Sequence, residues 1–151
     1  MPPYLCSLFK NDLIDAFANE LPGAVWTALV YELEFTYLLS EQRLPRQGAG
    51  LRDVYFPAGA SIVVCAGSSE GERAIAHIGR CSMTPIGEFM NAEIGSPCQF
   101  EVERPGVAFS IRAEKFCEIV GSSEYLRSLV TAAEHTMRFR EIGRASCRER
   151  V

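Results

Sequence analysis

The spacing of apolar residues changes twice along the chain, and each change predicts a different kind of element. In "NDLIDAFANEL" the apolar residues recur at helical spacing behind Asn11 or Asp12, either of which can cap a helix. Pro22 and Gly23 interrupt this pattern, and "AVWTALVYEL" predicts a second short helix. The chain therefore opens with two helices, preceded by a short arm.

From Glu34 onward the pattern is typical of strands. The segments "EFTYLL", "LRDVYFP", "SIVVCAG", "ERAIAHIG", "CQFEVE" and "VAFSI" are short, β-branched or aromatic, and bounded by turn residues. "SEQRLPRQGAG" predicts a polar loop, and "SSEG" predicts a hairpin turn. Phe100 and Val102 alternate with polar residues, and a turn at 104–106 is expected to let "VAFSI" pair back. Six such strands predict an antiparallel sandwich or barrel.

Helical spacing returns at the end of the chain. "RAEKFCEIVG" predicts a short helix closed by Gly121, and Ser122 or Ser123 can cap a longer helix after it. That longer helix carries one apolar stripe, formed by Leu126, Leu129, Val130, Ala133 and Met137. The expected organisation is an arm with short helices over 1–33, a β-roll over 34–111 and C-terminal helices over 112–141.

Length and composition fit one globular domain. The chain has 151 residues, of which 48% are hydrophobic and 23% charged. It lacks an apolar run of the roughly 20 residues that cross a bilayer, and its start lacks the pattern of a signal peptide, so a cytoplasmic location is expected. The formal net charge of −4 argues against a large nucleic-acid-binding face within this chain.

The reactive side chains are few or scattered. Two histidines, His77 and His135, are isolated, and no catalytic set or nucleotide loop is present, so neither an enzyme nor a metal site is expected. The six cysteines lack a paired spacing and are expected to be mostly buried small hydrophobes in a reducing compartment. They are Cys6, Cys65, Cys81, Cys98, Cys117 and Cys147.

The last ten residues, "IGRASCRERV", do not continue the apolar stripe of the helix before them. With ordinary codons this peptide corresponds to a common short-read sequencing adapter read in frame. We therefore expect 142–151 to be an artefact and the native gene to continue differently after Arg140 or Glu141.

Four landmarks together are similar to those of a known family. They are "LPGAVWTALVYELEF", "LRDVYFPAGASIVV", the Gly79-Arg80 step after "AIAHI", and "SPCQFEVERPGVAFSI". With them the chain resembles, from about Asn11 to Arg140, the effector domain of Crp/Fnr-type bacterial transcription regulators. The resemblance implies a mainly β fold with flanking helices: a cyclic-nucleotide-binding-like double-stranded β-helix, or jelly roll, followed by a long C-terminal dimerisation helix.

The resemblance also implies partners. Members of the family form homodimers through that helix and bind DNA through a C-terminal helix-turn-helix domain, which lies beyond this chain. The implied function is effector sensing that is passed to the DNA-binding domain. The alternative is a stand-alone cyclic-nucleotide-binding-like module that regulates a partner protein.

In members of the family that bind cyclic nucleotides, backbone amides and a later arginine neutralise the cyclic phosphate, and the carboxylate of a Gly-Glu step accepts a hydrogen bond from a ribose hydroxyl. Gly87-Glu88 matches half of this motif, but the arginine position falls in "SPCQF", which contains no cation. An anionic phosphate in a β-roll needs such a partner, so a cyclic nucleotide is disfavoured as the ligand. The candidate ligand-binding residues are Gly79, Arg80, Gly87, Glu88, Ser96, Gln99 and Thr131.

Three interpretations of this region stay open. It binds a more neutral or apolar ligand through backbone amides near Gly79 and Gly87, or Phe89, Met90 and Ile94 fill the space as core. In the third interpretation Cys81 and Cys98, on either side of the same loop, sense oxidation, because the neighbouring Arg80 lowers a thiol pKa.

Overall fold

The computed structural model of the chain describes residues 10–48, 50–68, 71–85 and 98–134. Four helices and eight strands lie in these ranges. The helices are α1 (Asp12–Glu20), α2 (Gly23–Glu32), α3 (Ala113–Gly121) and α4 (124–134). The strands are β1 (Glu34–Leu38), β2 (Arg46–Gln47), β3 (Gly50–Leu51), β4 (Asp53–Pro57), β5 (Ser61–Ser68), β6 (Gly71–Ile78), β7 (Cys98–Arg104) and β8 (Gly106–Arg112). The order of helices, strands and helices is the predicted one.

Two three-stranded antiparallel sheets form the β-roll, in the strand orders β1-β8-β4 and β6-β5-β7. The residues of strand β4 alternate between two hydrophobic cores, one on each face of the β1-β8-β4 sheet. Tyr55 points into the roll, where it joins an interior cluster contributed by both sheets. Val54 and Phe56 point the other way and pack with the helices. One sheet is therefore covered by helices on its outer face.

The predicted hairpin between β5 and β6 is confirmed. Ser68 pairs with Gly71 at its tip, and the register runs back to Ile62 opposite Ile78, with a bulge between Val64 and Cys65. The alternation predicted for β7 is confirmed as well, because Phe100 and Val102 are buried in the roll.

The predicted pairing of "VAFSI" with "CQFEVE" is wrong. Strand β7 pairs with β5, whereas β8 lies between β1 and β4 in the other sheet. The peptide at 104–106 is thus a crossover between sheets, and Pro105 cannot donate a hydrogen bond to a hairpin ladder. At Gly106 the backbone passes so close to Gly59 that an added Cβ would lie 2.7 Å from the Gly59 carbonyl carbon.

The predicted loop "SEQRLPRQGAG" contains two short strands. Arg46 pairs with Leu51 and Gln47 with Gly50, across a turn in which Gly48 has a φ of 64°. A two-residue strand is too short to show a period of two, which explains why the sequence pattern gave no sign of it.

The three predicted helix ends are confirmed. Asn11 caps α1, and the Ser123 side chain accepts a hydrogen bond from the Leu126 amide at the start of α4. Gly121 ends α3 without a left-handed conformation, and the Ser122 residue after it has a right-handed φ of −86°. Gly121 is therefore the last residue of α3, as predicted, but it ends the helix without the left-handed conformation that is common for a C-terminal glycine.

The helices pack on the outer face of the β4 sheet as one core. Phe17 of α1 and Phe116 of α3 each make an edge-to-face contact with Phe56, at ring-centroid distances of 6.1 and 5.8 Å. Leu126 and Val130 of α4 belong to the same buried cluster. Among the described residues no helix is both long and apolar enough to cross a bilayer.

The expectation that the cysteines are mostly buried is wrong for the three whose side chains the structure describes. Cys65 is half-buried, and Cys81 and Cys117 are exposed. Cys65 follows the buried Val64 on β5, and Cys117 follows the buried Phe116 on α3. Each therefore lies on the outward side of its element.

Candidate functional site

The interior of the roll is the first place to look for a bound molecule, and the described side chains there are almost entirely apolar. They come from both sheets and from the loops beside β1 and β4. The interior cluster consists of Leu38, Leu44, Leu51, Tyr55, Ala60, Ile62, Val64, Ala76, Ile78, Phe100, Val102 and Ala108. No member of this set carries a positive charge, so these residues alone cannot neutralise a phosphate.

One polar pair interrupts this apolar lining. Burial raises the pKa of the Tyr55 hydroxyl to about 12, and the negative charge of Asp53 adds to the effect. Asp53 is two residues earlier on β4, on the same face of the strand, and its side chain is 11% exposed. The phenol is therefore a neutral hydrogen-bond donor at physiological pH.

Two arginines neutralise Asp53. Arg52 Nε lies 3.0 Å from one carboxylate oxygen, and Arg112 Nε lies 3.8 Å from the other. The hydrogen bond to Asp53 and the charge of that carboxylate raise the pKa of Arg52. Arg112 also donates to Gln47, which in turn donates to Glu114 at the start of α3. This network joins the roll to α3 through charge-assisted contacts.

The turn after β6 contains two of the candidate ligand residues, Gly79 and Arg80. Ser82 closes the turn, because its amide donates to the Gly79 carbonyl at 3.1 Å and its hydroxyl accepts from the Gly79 amide at 3.3 Å. Arg80 is exposed and lies 3.6 Å from Asp12 Oδ1, while the Cys81 thiol donates to the other Asp12 oxygen at 3.2 Å. Of these two candidates, Arg80 is thus paired with α1, whereas Gly79 is hydrogen-bonded to Ser82.

Asn11 fastens this turn to α1 more firmly. Its buried side chain accepts from the Leu13 and Ile14 amides and donates to the Pro57 and Ser82 carbonyls. Asp12 adds a backbone hydrogen bond to the Arg80 carbonyl at 2.9 Å. The sequence predicted the capping role of Asn11, but its two long-range hydrogen bonds have no sequence signal.

The same segment is tied to the roll. Thr84 is fully buried, its hydroxyl accepts from the Tyr55 amide at 2.9 Å, and its own amide donates to the Tyr55 carbonyl at 2.9 Å. Residues 79–85 therefore connect β4, β6 and α1 immediately before the stretch in which the phosphate-binding motif was sought.

The structure does not bring all the predicted ligand residues together. Gln99 alternates with the inward-pointing Phe100, so its side chain lies on the outer face of β7, and Thr131 is exposed on α4. Among the described residues no hydrogen bond or ion pair joins either of them to the Gly79-Arg80 turn. The remaining candidates, Gly87, Glu88 and Ser96, lie outside the described residues.

Four of the five residues predicted for a dimer interface are described. Leu126 and Val130 are buried in the chain's own core, and Leu129 is partly buried against it. Ala133 is half-buried, and Met137 lies outside the described residues. The inner part of the stripe thus packs within one chain, and its role in a dimer stays a prediction.

No group of three or more metal-ligating side chains occurs among the described residues. His77 Nδ1 lies 3.2 Å from Glu103 Oε1 at the outer side of the β6-β5-β7 sheet. The contact is partly exposed, with 25% of the His77 side chain and 48% of the Glu103 side chain accessible.

The chain is similar in structure to sensor and nucleotide-binding domains of known regulators. A protein from Eubacterium rectale described as a Crp/Fnr-family transcriptional regulator superposes with a TM-score of 0.69 and 16% identity, over 83% of this chain and 59% of that one. The sensor domain of the transcriptional regulator DNR from Pseudomonas aeruginosa gives a TM-score of 0.59 and 13% identity, over 88% and 87% of the two chains.

A cyclic-nucleotide-binding domain from Methylobacillus flagellatus is also similar, with a TM-score of 0.57 and 16% identity over 80% of this chain and 70% of that one. No protein-family model matches the sequence, and neither does any curated protein. The resemblance predicted from the four sequence landmarks is confirmed at the level of the fold, which is that of a cyclic-nucleotide-binding domain as found in Crp/Fnr-type regulators.

Proposed function

We propose that this chain is the effector-sensing domain of a Crp/Fnr-type transcription regulator, joined in the full-length protein to a helix-turn-helix domain that binds DNA. The observation that carries the proposal is the match in fold to the sensor domain of DNR, which covers 88% of this chain and 87% of that one. The match therefore spans most of both chains, and the other chain is the sensor domain of a transcriptional regulator.

The proposed effector is neutral or apolar rather than a cyclic nucleotide. The described roll interior contributes apolar side chains and one neutral phenol, Tyr55. The anionic neighbour of that phenol, Asp53, is already paired with two arginines. A cyclic nucleotide remains compatible with the fold, as the nucleotide-binding domain of similar structure illustrates. Its phosphate would have to be neutralised by residues outside the described interior.

The proposed signal path runs from the 79–85 turn to the helices. This turn is fastened to α1 by Asn11 and Asp12, and α1 shares one buried core with α4. An effector that binds more tightly to one arrangement of the turn would shift the population of helix arrangements with it.

The proposed homodimer uses the outer side of α4. Because Leu126 and Val130 face the chain's own core, a partner helix would pack against other positions on the outer side of α4. These are Tyr125, which is 49% exposed, the partly buried Leu129 and the exposed Ala132. Their spacing of four and then three residues is that of a coiled-coil seam.

The proposed role is regulatory and not enzymatic, and DNA binding by the full-length protein tests it. The protein encoded by the native gene should bind duplex DNA with an affinity that falls steeply as salt rises. This chain, with a net charge of −4, should not bind. Failure of the full-length protein to bind any promoter fragment from the native genome, or binding by this chain alone, would refute the proposal.

The alternative is a stand-alone sensory module that regulates a partner protein. It would be favoured if the native gene ends without a DNA-binding domain. Pull-down with the native protein would then identify the partner.

A further inference from the structure

The first turn of α3 is capped from another part of the chain. Strand β8 runs directly into α3, and within the described part of the chain the N-cap residue Arg112 makes no side-chain hydrogen bond to that turn. The first amides of a helix need an acceptor from outside the helix. The Ala113 amide has one in the Arg52 carbonyl, to which it donates at 2.9 Å. Arg52 lies between β3 and β4, so the cap is a tertiary contact.

The hairpin that Arg52 follows has little support of its own. Strands β2 and β3 contain two residues each, and among the described residues no third strand pairs with them. An isolated two-stranded hairpin is only marginally stable in water. The base of this hairpin is fixed because Leu44 and Leu51 are buried in the roll interior, whereas Gln47 near its tip is exposed. The tip is therefore held in place by polar side-chain contacts.

Asp53 lies at the centre of these polar contacts. It is directly opposite Arg112 in the pairing of β4 with β8, and its side chain is 11% exposed, whereas Arg52 and Arg112 are about half exposed. Arg112 donates to Gln47 Oε1 at 3.4 Å, and Gln47 Nε2 donates to Glu114 Oε1 at 3.0 Å. One nearly buried carboxylate thus holds the residue before α3 and, through it, the hairpin tip and the first turn of α3.

We propose that a clasp fastens the start of α3 to the roll and that the charge of Asp53 keeps it closed. The α3 clasp consists of Gln47, Arg52, Asp53, Arg112 and Glu114. Without that charge, two arginines would share one site without an anion between them, and like charges repel. The clasp would then open locally, because the edge-to-face contact of Phe116 with Phe56 still holds α3 on the sheet.

The clasp also suggests the chemistry of the effector, a step that rests on the proposed function. Asp53 is two residues from Tyr55 on the inward face of β4, so the roll interior and α3 meet at this carboxylate. An effector with a hydrogen-bond donor near Tyr55 would compete with the arginines for Asp53 and loosen the clasp. The effector that fits is a neutral molecule with an apolar body and an N–H or O–H group at one end.

The test is amide hydrogen exchange of the full isotope-labelled chain without effector, followed by NMR. The Ala113 amide reports the clasp, and the amides of β5, the central strand of the other sheet, report global unfolding. Asp53→Asn removes the charge with little change in shape, and Gln47→Ala removes the contacts of the hairpin tip. The matched control is Glu118→Gln, which removes a carboxylate of the same helix that pairs with Lys115 at 3.6 Å.

The expected result is faster exchange at Ala113 relative to β5. Asp53→Asn should raise the Ala113 exchange rate about tenfold or more, because hydrogen bonds to charged groups are lost. Gln47→Ala should raise it about two- to tenfold. Glu118→Gln should change it by about twofold or less, since its ion pair is exposed.

Three results would overturn the inference. The first is an equal rise at Ala113 and in β5, which would mean that Asp53 acts on the whole fold. The second is an effect of Glu118→Gln as large as that of Asp53→Asn. The third is unchanged exchange at Ala113 in Gln47→Ala, which decides the matter if Asp53→Asn does not fold. A failed exchange test refutes the clasp alone, because DNA binding by the full-length protein tests the proposed function separately.

Discussion

The side-chain amide of Asn11 donates to the Ser82 carbonyl at 3.0 Å, across 71 positions of sequence. The same amide donates to the Pro57 carbonyl at 2.7 Å, while the side-chain oxygen caps α1. One buried residue thus holds together the start of a helix, the end of β4 and the turn that follows β6. Its hydrogen-bonding capacity is fully used, so the stability of the chain should respond strongly to its replacement.

Replacement of Asn11 should destabilise the chain far more than loss of a helix cap. Asn11→Ala removes the cap and leaves two buried carbonyls without donors, so we expect a loss of about 2–4 kcal/mol in the free energy of unfolding. Asn11→Asp keeps the cap and loses both donors, and should cost nearly as much. Urea unfolding followed by circular dichroism measures both, with the exposed Glu20→Ala as control. An Asn11→Asp variant with the same free energy of unfolding as the wild-type chain would show that the two donated hydrogen bonds do not stabilise the fold.

Leu126 should act through the core of its own chain. Leu126→Ala creates a cavity beneath α4 and should lower the free energy of unfolding by about 2–5 kcal/mol. The exposed Ser128→Ala on the same helix should change it by less than about 0.5 kcal/mol. Both effects should be independent of protein concentration in urea titrations. If the effect of Leu126→Ala appears only at high concentration, the side chain belongs to a dimer interface instead.

Gly106 should not tolerate a side chain, whereas Gly121 should. An added Cβ at Gly106 would lie 2.7–2.9 Å from backbone atoms of residues 59 and 60, which cannot move aside as a flexible side chain can. Gly106→Ala should therefore cost about 1–3 kcal/mol. At Gly121 nothing lies within 4 Å, so Gly121→Ala at the end of α3 should stabilise by up to about 0.5–1 kcal/mol. Thermal melts of the pair check the contrast, and equal effects would contradict it.

Tyr55 should make stability fall at high pH. Its pKa is about 12 in the folded chain against an ordinary value near 10, so the folded state holds the proton more tightly. The resulting stabilisation is complete below pH 10 and is lost as the pH rises towards 12. Urea midpoints at pH 8, 10 and 11.5 should show a steeper fall for the wild-type chain than for Tyr55→Phe. Parallel curves would mean that the hydroxyl titrates normally.

Local sequence rules predicted the elements well where one period dominates. The 3.6 period of α1 and the alternation around Phe100 each identified an element and its buried side. Pairing was harder, because β7 and β8 are adjacent in sequence and lie in different sheets. The choice of strand partner depends on which strand edges are already paired with other strands, and no short window of sequence contains this information. Pro105 itself argued against the predicted hairpin, because proline cannot donate a hydrogen bond to a hairpin ladder.

The candidate site was less predictable than the fold. The family motif directed attention to Gly79 and Arg80, and the structure shows Arg80 paired with Asp12. Asp53 was missed, although a charged residue inside the apolar strand "LRDVYFP" is itself a sign of a buried partner. The long-range hydrogen bonds of Asn11 could not be predicted, because the tertiary contacts of a side-chain amide produce no periodic pattern in the sequence.

The native gene tests the proposed regulatory role most directly. A genomic read long enough to cross the codon for Arg140 would show which residues come after α4 in the natural protein. We expect the reading frame to continue through a longer helix into a basic helix-turn-helix domain and to lack "IGRASCRERV". A genomic sequence that encodes this peptide and then stops would refute that role, and would leave the chain as a stand-alone module.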